Sequence, residues 1–178
     1  ALTLDVTALY TTRADFDAAL NGLKAATATF ATTYEGKLTD AKTILAAIKE
    51  YERLIETATL ADHYAMMPEA TDLTDPENVE LSRQTANAMA DISAQLTFFE
   101  SELIGCDVAI LDQVVSEEAR FASYIRHIKK NKSIQLAPEV EKALAQLAPT
   151  LDAPSAIYEQ ARLGDMSFGT FTADGKEY

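Results

Sequence analysis

The chain has 178 residues, of which 48% are hydrophobic and 24% are charged, the composition of one ordinary globular domain. Its 28 acidic and 15 basic residues give a formal net charge of −13, which repels phosphate backbones and anionic lipid, so neither nucleic acid nor a membrane is an expected partner. A single cysteine, Cys106, excludes an intrachain disulfide and fits a reducing compartment.

The first eleven residues predict an extended lead-in. They contain neither the basic start nor the long apolar run of a signal peptide. The whole sequence also lacks a run of about 18 apolar residues, which a membrane-spanning helix needs. We therefore expect a cytoplasmic protein.

The first helix is predicted from about Arg13 to Tyr34. Gly36 follows it and marks its end, because glycine favours the residue just after a helix. Side chains at three- and four-residue steps along the segment make one stripe that predicts a buried face: Phe16, Leu20, Leu23, Thr27 and Phe30.

A second helix is predicted from about Asp40 to Ala65, with Pro68 ending the region because proline lacks the N–H that a helix interior needs. Residues 69–74 are then a polar connection. The side chains near one face of this helix are Ile44, Ile48, Tyr51, Ile55, Ala58 and Ala65.

The third helix, about residues 75–105, has the clearest start and end signals. Asp75 suits the N-cap, Pro76 the first helical position and Glu77 the first turn, where the helix dipole favours negative charge. Gly105 closes the segment. About 30 residues at ~1.5 Å each give ~45 Å, whereas a globule of this length has a radius of gyration of only ~16 Å. This helix therefore crosses the whole domain.

Shorter helices are predicted beyond it. One spans about 107–115, and another starts after Ser116 as N-cap and runs to Lys130. Two more are separated by proline, one from Pro138 to before Pro149 and one from about 152 to Gly164. The lysines at positions 129, 130 and 132 indicate a solvated helix end, or alternatively a docking site for an acidic partner.

The last segment changes character. Residues 166–172 are short and aromatic, and Asp174-Gly175 is a strong hairpin-turn signal. Only three residues follow that turn, so we expect that the natural protein continues. The predicted fold is all-α: a multi-helix bundle with one long central helix and a short, truncated β-hairpin at the C-terminus. The predicted domains are a helical N-terminal domain, 1–165, and the start of a hairpin, 166–178, that leads into a further domain.

The sequence contains no recognised motif for catalysis or metal binding. Di-iron bundles use Glu-x-x-His, but Leu60 and Tyr124 precede His63 and His127 by three residues. The His-Glu-x-x-His of zinc peptidases, Gly-rich phosphate loops and Gly-x-Ser-x-Gly are all absent from the sequence. We therefore expect no catalytic, cofactor-binding or metal-binding residue in this chain.

Three weaker candidates have an ordinary structural explanation. Cys106 needs a base to act as a nucleophile, and His127 is the histidine within reach, but burial as a small hydrophobe is favoured. Glu100 and Glu102 are two residues apart on a helix, so they point to different faces and make a poor carboxylate pair. The pair at 98–99, Phe-Phe, is either a ligand platform or core, and core is favoured.

Several segments in order resemble one family. They are LDVTALY at 4–10, LTFFESELI at 96–104, YIRHIKKNK at 124–132, LAPE at 136–139, and DMSF at 165–168 with DGK at 174–176. Together they resemble the N-terminal region of oligoendopeptidase F, a thimet-oligopeptidase-like zinc peptidase. Three positions depart from the family pattern: Leu4 lies where tryptophan is usual, Ser101 where proline is common, and Ala137 where a capping serine, worth ~1 kcal/mol, is usual.

The resemblance implies a helical protein that encloses a deep channel and cuts oligopeptides inside it. The zinc ligands and the general base of the family lie in a C-terminal domain beyond the matched region, so zinc is expected there and no catalytic residue transfers to this chain. The chain would form part of the channel wall, with that catalytic domain and oligopeptide substrates as partners, and its acidity would favour basic peptides. The alternatives are a free-standing acidic helical interaction module and a small-ligand or metal-binding bundle.

Overall fold

A computed structural model of the chain describes residues 5–132, 138–165, 170, 172–173 and 176–177. Two structural units divide the chain, Ala1–Gln135 and Leu136–Tyr178. The first unit contains α1 Arg13–Tyr34, α2 Ala41–Thr71, α3 Pro76–Gly105, α4 Val108–Glu117, a 3-10 turn Ala119–Phe121 and α5 Ala122–Asn131. The second contains α6 Pro138–Glu159, a π-helical turn Gln160–Asp165, and the strands β1 Thr172–Ala173 and β2 Lys176–Glu177. The predicted helical fold class is confirmed.

Side-chain caps define the starts of the first four helices. In α1, Thr12 and Asp15 form a reciprocal capping box, with the Asp15 N–H donating to Thr12 Oγ1 at 3.1 Å and the Thr12 N–H donating to Asp15 Oδ2 at 3.0 Å. Asp40, Asp75 and Asp107 cap α2, α3 and α4 by accepting backbone N–H bonds with their carboxylates. Each such cap stabilises its helix by ~1 kcal/mol. The predicted cap at Asp75 is confirmed.

The main core lies among α1, α2 and α3, with α4 and α5 packed against the latter two. At its centre the Phe30 and Phe99 rings meet edge to face, with centroids 5.2 Å apart, and Tyr51 lies 4.7 Å from Phe99. Phe99 is fully buried and Phe98 packs beside it, so the Phe-Phe pair belongs to the core as predicted. A second cluster forms where Phe16 stacks on Tyr64 at 4.8 Å.

Proline and serine positions account for the helix boundaries that were predicted wrongly. Helix α2 continues through Pro68 to Thr71. The proline removes one backbone hydrogen bond, to the carbonyl four residues earlier, but its fixed φ is compatible with a helix. Helix α6 is continuous through positions 149 and 154, where two helices were predicted. Ser116 lies inside α4 and donates its hydroxyl to the Asp112 carbonyl at 3.0 Å, so it caps no helix.

The long helix α3 has the predicted bounds, but a second helix of the first unit, α2, is almost equally long. Helix α2 has 31 residues and α3 has 30, so the first unit contains two long helices rather than one central helix. The extra length of α2 comes from residues 66–71, which are helical although they were predicted to be its end and a polar connection.

The C-terminal strands pair antiparallel over two residue pairs, Thr172 with Glu177 and Ala173 with Lys176. The turn Asp174-Gly175 and most of 166–171 lie outside the described residues. Two residue pairs are too short to establish a hairpin, which stays a prediction, as does the domain boundary at 165. Leu4 and Ala137, two of the family departures, also lie outside the described residues.

Candidate functional site

A groove of about 560 Å³ runs between α2 and α3. Its apolar lining includes the buried side chains Ile92 and Leu96 of α3. Tyr51, Ile55, Ala58 and Met89 complete the apolar part, and the polar lining residues are Thr59, Asp62, His63, Ser93, Thr97 and Glu100. This volume falls within the roughly 300–1,000 Å³ that is typical of ligand sites.

The register of the two helices explains this division. In α3, Ile92 and Leu96 are four residues apart and point into the core, whereas Ser93 and Thr97 follow each of them by one position and are exposed. The short side chain of Ala58 stands among the α2 lining residues and leaves the space between the helices open. The groove therefore combines an apolar lining from the core stripes with polar side chains from the adjacent positions.

Two carboxylates, Asp62 and Glu100, give the groove its charge, and no lysine or arginine is among its lining residues. The negative charge of Glu100 contributes to a raised pKa at two neighbouring tyrosines. The pKa of Tyr51 is raised by burial and then by Glu100, and that of Tyr124 is raised by burial, then by Tyr51 and Glu100. Asn131 donates a long hydrogen bond, 3.4 Å, to Glu100 Oε1. The groove is thus a negatively charged environment.

The two threonine hydroxyls of the groove present acceptors. The hydroxyls of Thr59 and Thr97 donate to the carbonyls of Ile55 and Ser93, at 2.8 and 3.0 Å, which leaves their oxygen lone pairs available. His63 Nδ1 lies 2.8 Å from the Thr59 carbonyl, which can only accept, so Nδ1 donates its N–H to that carbonyl.

The alternative role of Cys106 as a nucleophile beside His127, which the sequence disfavoured, has no support in the described part of the chain, where no hydrogen bond joins the two side chains. The Cys106 thiol faces the carbonyls of Glu102 at 3.3 Å and Leu38 at 3.4 Å, whereas His127 Nε2 lies 3.0 Å from Asn131 Nδ2. Burial raises the pKa of Cys106, with a smaller contribution from the charge of Glu102. A raised pKa is the opposite of what a nucleophilic thiol requires.

The two glutamates of the FFESEL run have separate surroundings, as predicted from their spacing. Glu100 lines the groove, whereas Glu102 Oε1 accepts a 2.7 Å bond from the N–H of Gly36. Gly36 has a φ of +71°, the left-handed region that glycine tolerates best. Glu102 thereby ties the connection between α1 and α2 to α3, a structural role that the sequence did not predict.

The lysines at the end of α5 bind helix ends and carboxylates. Lys129 forms an ion pair with Asp112. The Nζ of Lys132 donates to the Cys106 carbonyl at 2.7 Å, beside the C-terminus of α3, where positive charge suits the helix dipole. These contacts favour the structural interpretation of the lysine cluster over a docking site.

A second surface lies on α6 and was not predicted, because the prolines at 149 and 154 had divided this helix in two. Apolar side chains recur along it at helical spacing with 46–68% of their area exposed: Val140, Leu144, Leu147, Leu151 and Tyr158. Steps of four, three, four and seven residues place them on one face. This surface is called the α6 stripe below.

Among the residues that the structure describes, no group of three histidine, cysteine or carboxylate side chains is placed to hold a metal ion. None of the described helices combines the length and apolar character needed to cross a membrane.

Comparisons with known proteins agree with one another. The family model described as Oligopeptidase F matches residues 102–168. The fold is similar to that of oligoendopeptidase-F from Enterococcus faecium, with a TM-score of 0.76 and 20% identity over 93% of this chain and 34% of that one. It is also similar to a proposed peptidase from Chlamydophila abortus, with a TM-score of 0.62 and 18% identity over 98% of this chain and 30% of that one.

No curated protein matches the chain in sequence. The chain spans about one third of the length of the two solved structures. With a family model matching 102–168 and the same fold over 93% of the chain, the predicted resemblance is confirmed, and the chain is similar to the N-terminal domain of oligoendopeptidase F.

Proposed function

We propose that this chain is the non-catalytic N-terminal domain of a zinc-dependent oligoendopeptidase and forms part of the wall of the channel in which short peptides are cleaved. The observation that carries this proposal is the fold match to oligoendopeptidase-F, which covers 93% of this chain but only 34% of that protein. In this proposal the zinc and the general base belong to the unmatched two thirds.

Helices α2 and α3 are suited to a wall. They have 31 and 30 residues, so each extends ~45 Å at ~1.5 Å per residue. They pack along each other and share one core with α1. Their shared groove offers a polar and apolar surface to a peptide that passes along the wall.

The α6 stripe is the proposed contact with the catalytic domain. Burying one leucine or valine side chain fully stabilises by ~1.5–3 kcal/mol, and the stripe exposes several. Contiguous apolar surface of this kind marks protein interfaces. Placing Glu at Leu144 and Leu147 in the longer protein would put two charges into this interface and weaken the association of the two domains.

The test begins with the reading frame beyond codon 178. A His-Glu-x-x-His segment downstream, with a third glutamate ligand after it, is the expected result. The longer protein is then expected to cleave a short fluorogenic peptide in a chelator-sensitive manner and to spare long or folded substrates, whereas the 178-residue chain alone cleaves neither. Chelator-sensitive cleavage by the pure chain would overturn the proposal, because the chain would then contain a catalytic site of its own. A reading frame without the zinc motif would overturn it in favour of an interaction module.

A further inference from the structure

We propose that the groove between α2 and α3 binds a lysine or arginine side chain of a peptide, and so gives the peptidase a preference for basic peptides. The identity of the peptide as a substrate rests on the proposed function, whereas the binding itself rests on the groove alone. Three features of the groove carry the inference: unpaired carboxylates, a lining of hydrogen-bond acceptors, and an apolar floor.

Within the described part of the chain, neither carboxylate of the groove is paired with a cation. Asp62 forms no hydrogen bond or ion pair with any described residue, and the side-chain hydrogen bond of Glu100 there comes from the amide of Asn131. Other carboxylates of the first unit show the contrast, since Glu80 pairs with Arg83 at 2.7 Å. A cationic ligand would therefore complete the electrostatics of the groove without displacing an existing ion pair.

The acceptor-rich lining of the groove also favours a cationic ligand that donates hydrogen bonds. The hydroxyls of Thr59 and Thr97 are already donated to backbone carbonyls, so what these groups present to a ligand is oxygen lone pairs. An ammonium has three donors and no acceptor, and a guanidinium has five donors and no acceptor. Both match this lining, whereas a carboxylate or phosphate ligand would meet acceptors and negative charge.

The apolar floor of the groove suits the methylene chain of a lysine or arginine side chain. Lysine and arginine carry three or four methylenes that pack on apolar surface while the charged head remains in a polar environment. Ile92 and Leu96 supply that surface, and the half-buried ring of Tyr51 adds a face on which a cation can rest. A basic residue with an apolar neighbour in the peptide would fill the groove best.

The experiment uses methyl NMR of the 178-residue chain labelled at its four methionines. Met89 lines the groove and Met66, exposed elsewhere on α2, is the internal control. The probe is a blocked tetrapeptide that contains lysine, compared with the same peptide that contains norleucine. We expect the lysine peptide to shift the Met89 signal in a saturable manner, to leave Met66 unchanged, and to bind more tightly than the norleucine peptide.

The test variant is Asp62→Asn with Glu100→Gln. Its control, Glu56→Gln with Asp91→Asn, removes the same charge from exposed positions of the same helices outside the groove. Exposed ion pairs are weak, so we expect a three- to tenfold loss of lysine-peptide affinity in the test variant and little change in the control. Equal losses in both variants, or equal affinity for the lysine and norleucine peptides, would overturn the inference.

The same variants distinguish this inference from the proposed function. In the longer protein, we expect the test variant to lower kcat/KM for lysine peptides three- to tenfold and to leave that for norleucine peptides unchanged. If the longer protein cleaves no peptide while the chain binds lysine peptides through Asp62 and Glu100, the proposed function fails and the groove inference holds. If it cleaves both peptides equally well before and after substitution, the groove inference fails and the proposed function holds.

Discussion

The buried hydroxyl of Thr27 is predicted to destabilise the fold. Thr27 is fully buried on the core face of α1, and its Oγ1 has no hydrogen-bond partner among the described residues. The three other threonines of α1, at 29, 32 and 33, donate to the carbonyl four residues earlier at 2.7–3.0 Å. Thr27 therefore bears the desolvation of a hydroxyl without the bond that usually compensates for it.

The substitution Thr27→Val removes that hydroxyl and keeps the shape of the side chain. Both residues are β-branched and have similar helix propensities, so the change is confined to the polar atom. Burying an unpaired hydroxyl costs ~1–3 kcal/mol in protein mutational data. We expect the variant to be more stable by at least ~1 kcal/mol, which corresponds to a rise in Tm of ~2–4 °C for a protein of this size.

Thr85→Val is the matched control, because Thr85 is 1% exposed on α3 and its hydroxyl donates to the Leu81 carbonyl at 2.8 Å. Removing this satisfied hydroxyl loses a bond worth ~0.5–1.5 kcal/mol. We expect Thr85→Val to be neutral or less stable than the original protein. The assay is urea unfolding followed by circular dichroism at 222 nm, supported by thermal scans.

Comparison of the Thr27→Val and Thr85→Val variants also shows which outcome would refute this reasoning. If Thr27→Val is no more stable than the original protein and behaves like Thr85→Val, then the Thr27 hydroxyl has a partner. The nearest candidate is the Leu23 carbonyl one turn earlier, which a threonine reaches by rotation about χ1. A gain in both variants would instead report a general benefit of apolar side chains in this core.

Three further predictions concern single contacts. Glu102→Ala removes the acceptor of the Gly36 N–H and is expected to lower the free energy of unfolding by ~1 kcal/mol, with Glu102→Gln closer to the original protein, as urea unfolding will show. Asp40→Ala removes the cap of α2, at a cost of ~1 kcal/mol at neutral pH. Hydrogen bonds from Thr43 lower the pKa of Asp40 in the folded state, so the stabilisation is present above its ordinary pKa and is lost as the pH falls. The difference between Asp40→Ala and the original protein is therefore expected to shrink below about pH 4, measured by urea unfolding across pH. Burial raises the pKa of Cys106, so iodoacetamide is expected to alkylate it several-fold more slowly than N-acetylcysteine at pH 8, and equal rates would contradict the described burial.

The helix starts were predictable because their signals are local. Arg13–Tyr34 has the predicted bounds, and Asp75 with Pro76 defined the start of α3 correctly. Caps act within three residues of the backbone groups that they satisfy, so a single sequence contains the whole interaction. In α1 the apolar period predicted the buried face, since Phe16, Leu23, Thr27 and Phe30 are buried and Leu20 is partly buried. In α2 the period was less accurate, because Ile55 is 41% exposed and lines the groove.

Whether a proline ends a helix depended on its structural context. Treating Pro68 and positions 149 and 154 as helix ends was wrong, since α2 and α6 continue through them. The average cost of ~3 kcal/mol for a helical proline does not say whether the rest of the helix compensates for it. Dividing α6 in two also concealed the α6 stripe, because its period is visible only along one continuous helix.

The groove was hidden from the sequence for a different reason. Its carboxylates, Asp62 and Glu100, are 38 positions apart and come together only because α2 and α3 pack side by side. No local pattern distinguishes them from the many other acidic residues on solvated helix faces. Pairing of helices is a tertiary property, so the charge of the groove followed from the structure, whereas only a general preference for basic peptides followed from the net charge of −13.

The groove and the α6 stripe lie on different structural units, and their chemistry predicts different effects. Association through the stripe depends on buried apolar area, so it should strengthen slightly with salt and weaken when Leu147 becomes polar. Binding in the groove depends on exposed charge, so it should weaken as salt rises and the Debye length falls to about 8 Å at physiological ionic strength. If domain association and peptide preference change in the same direction with salt, one of the two surfaces has been assigned the wrong partner.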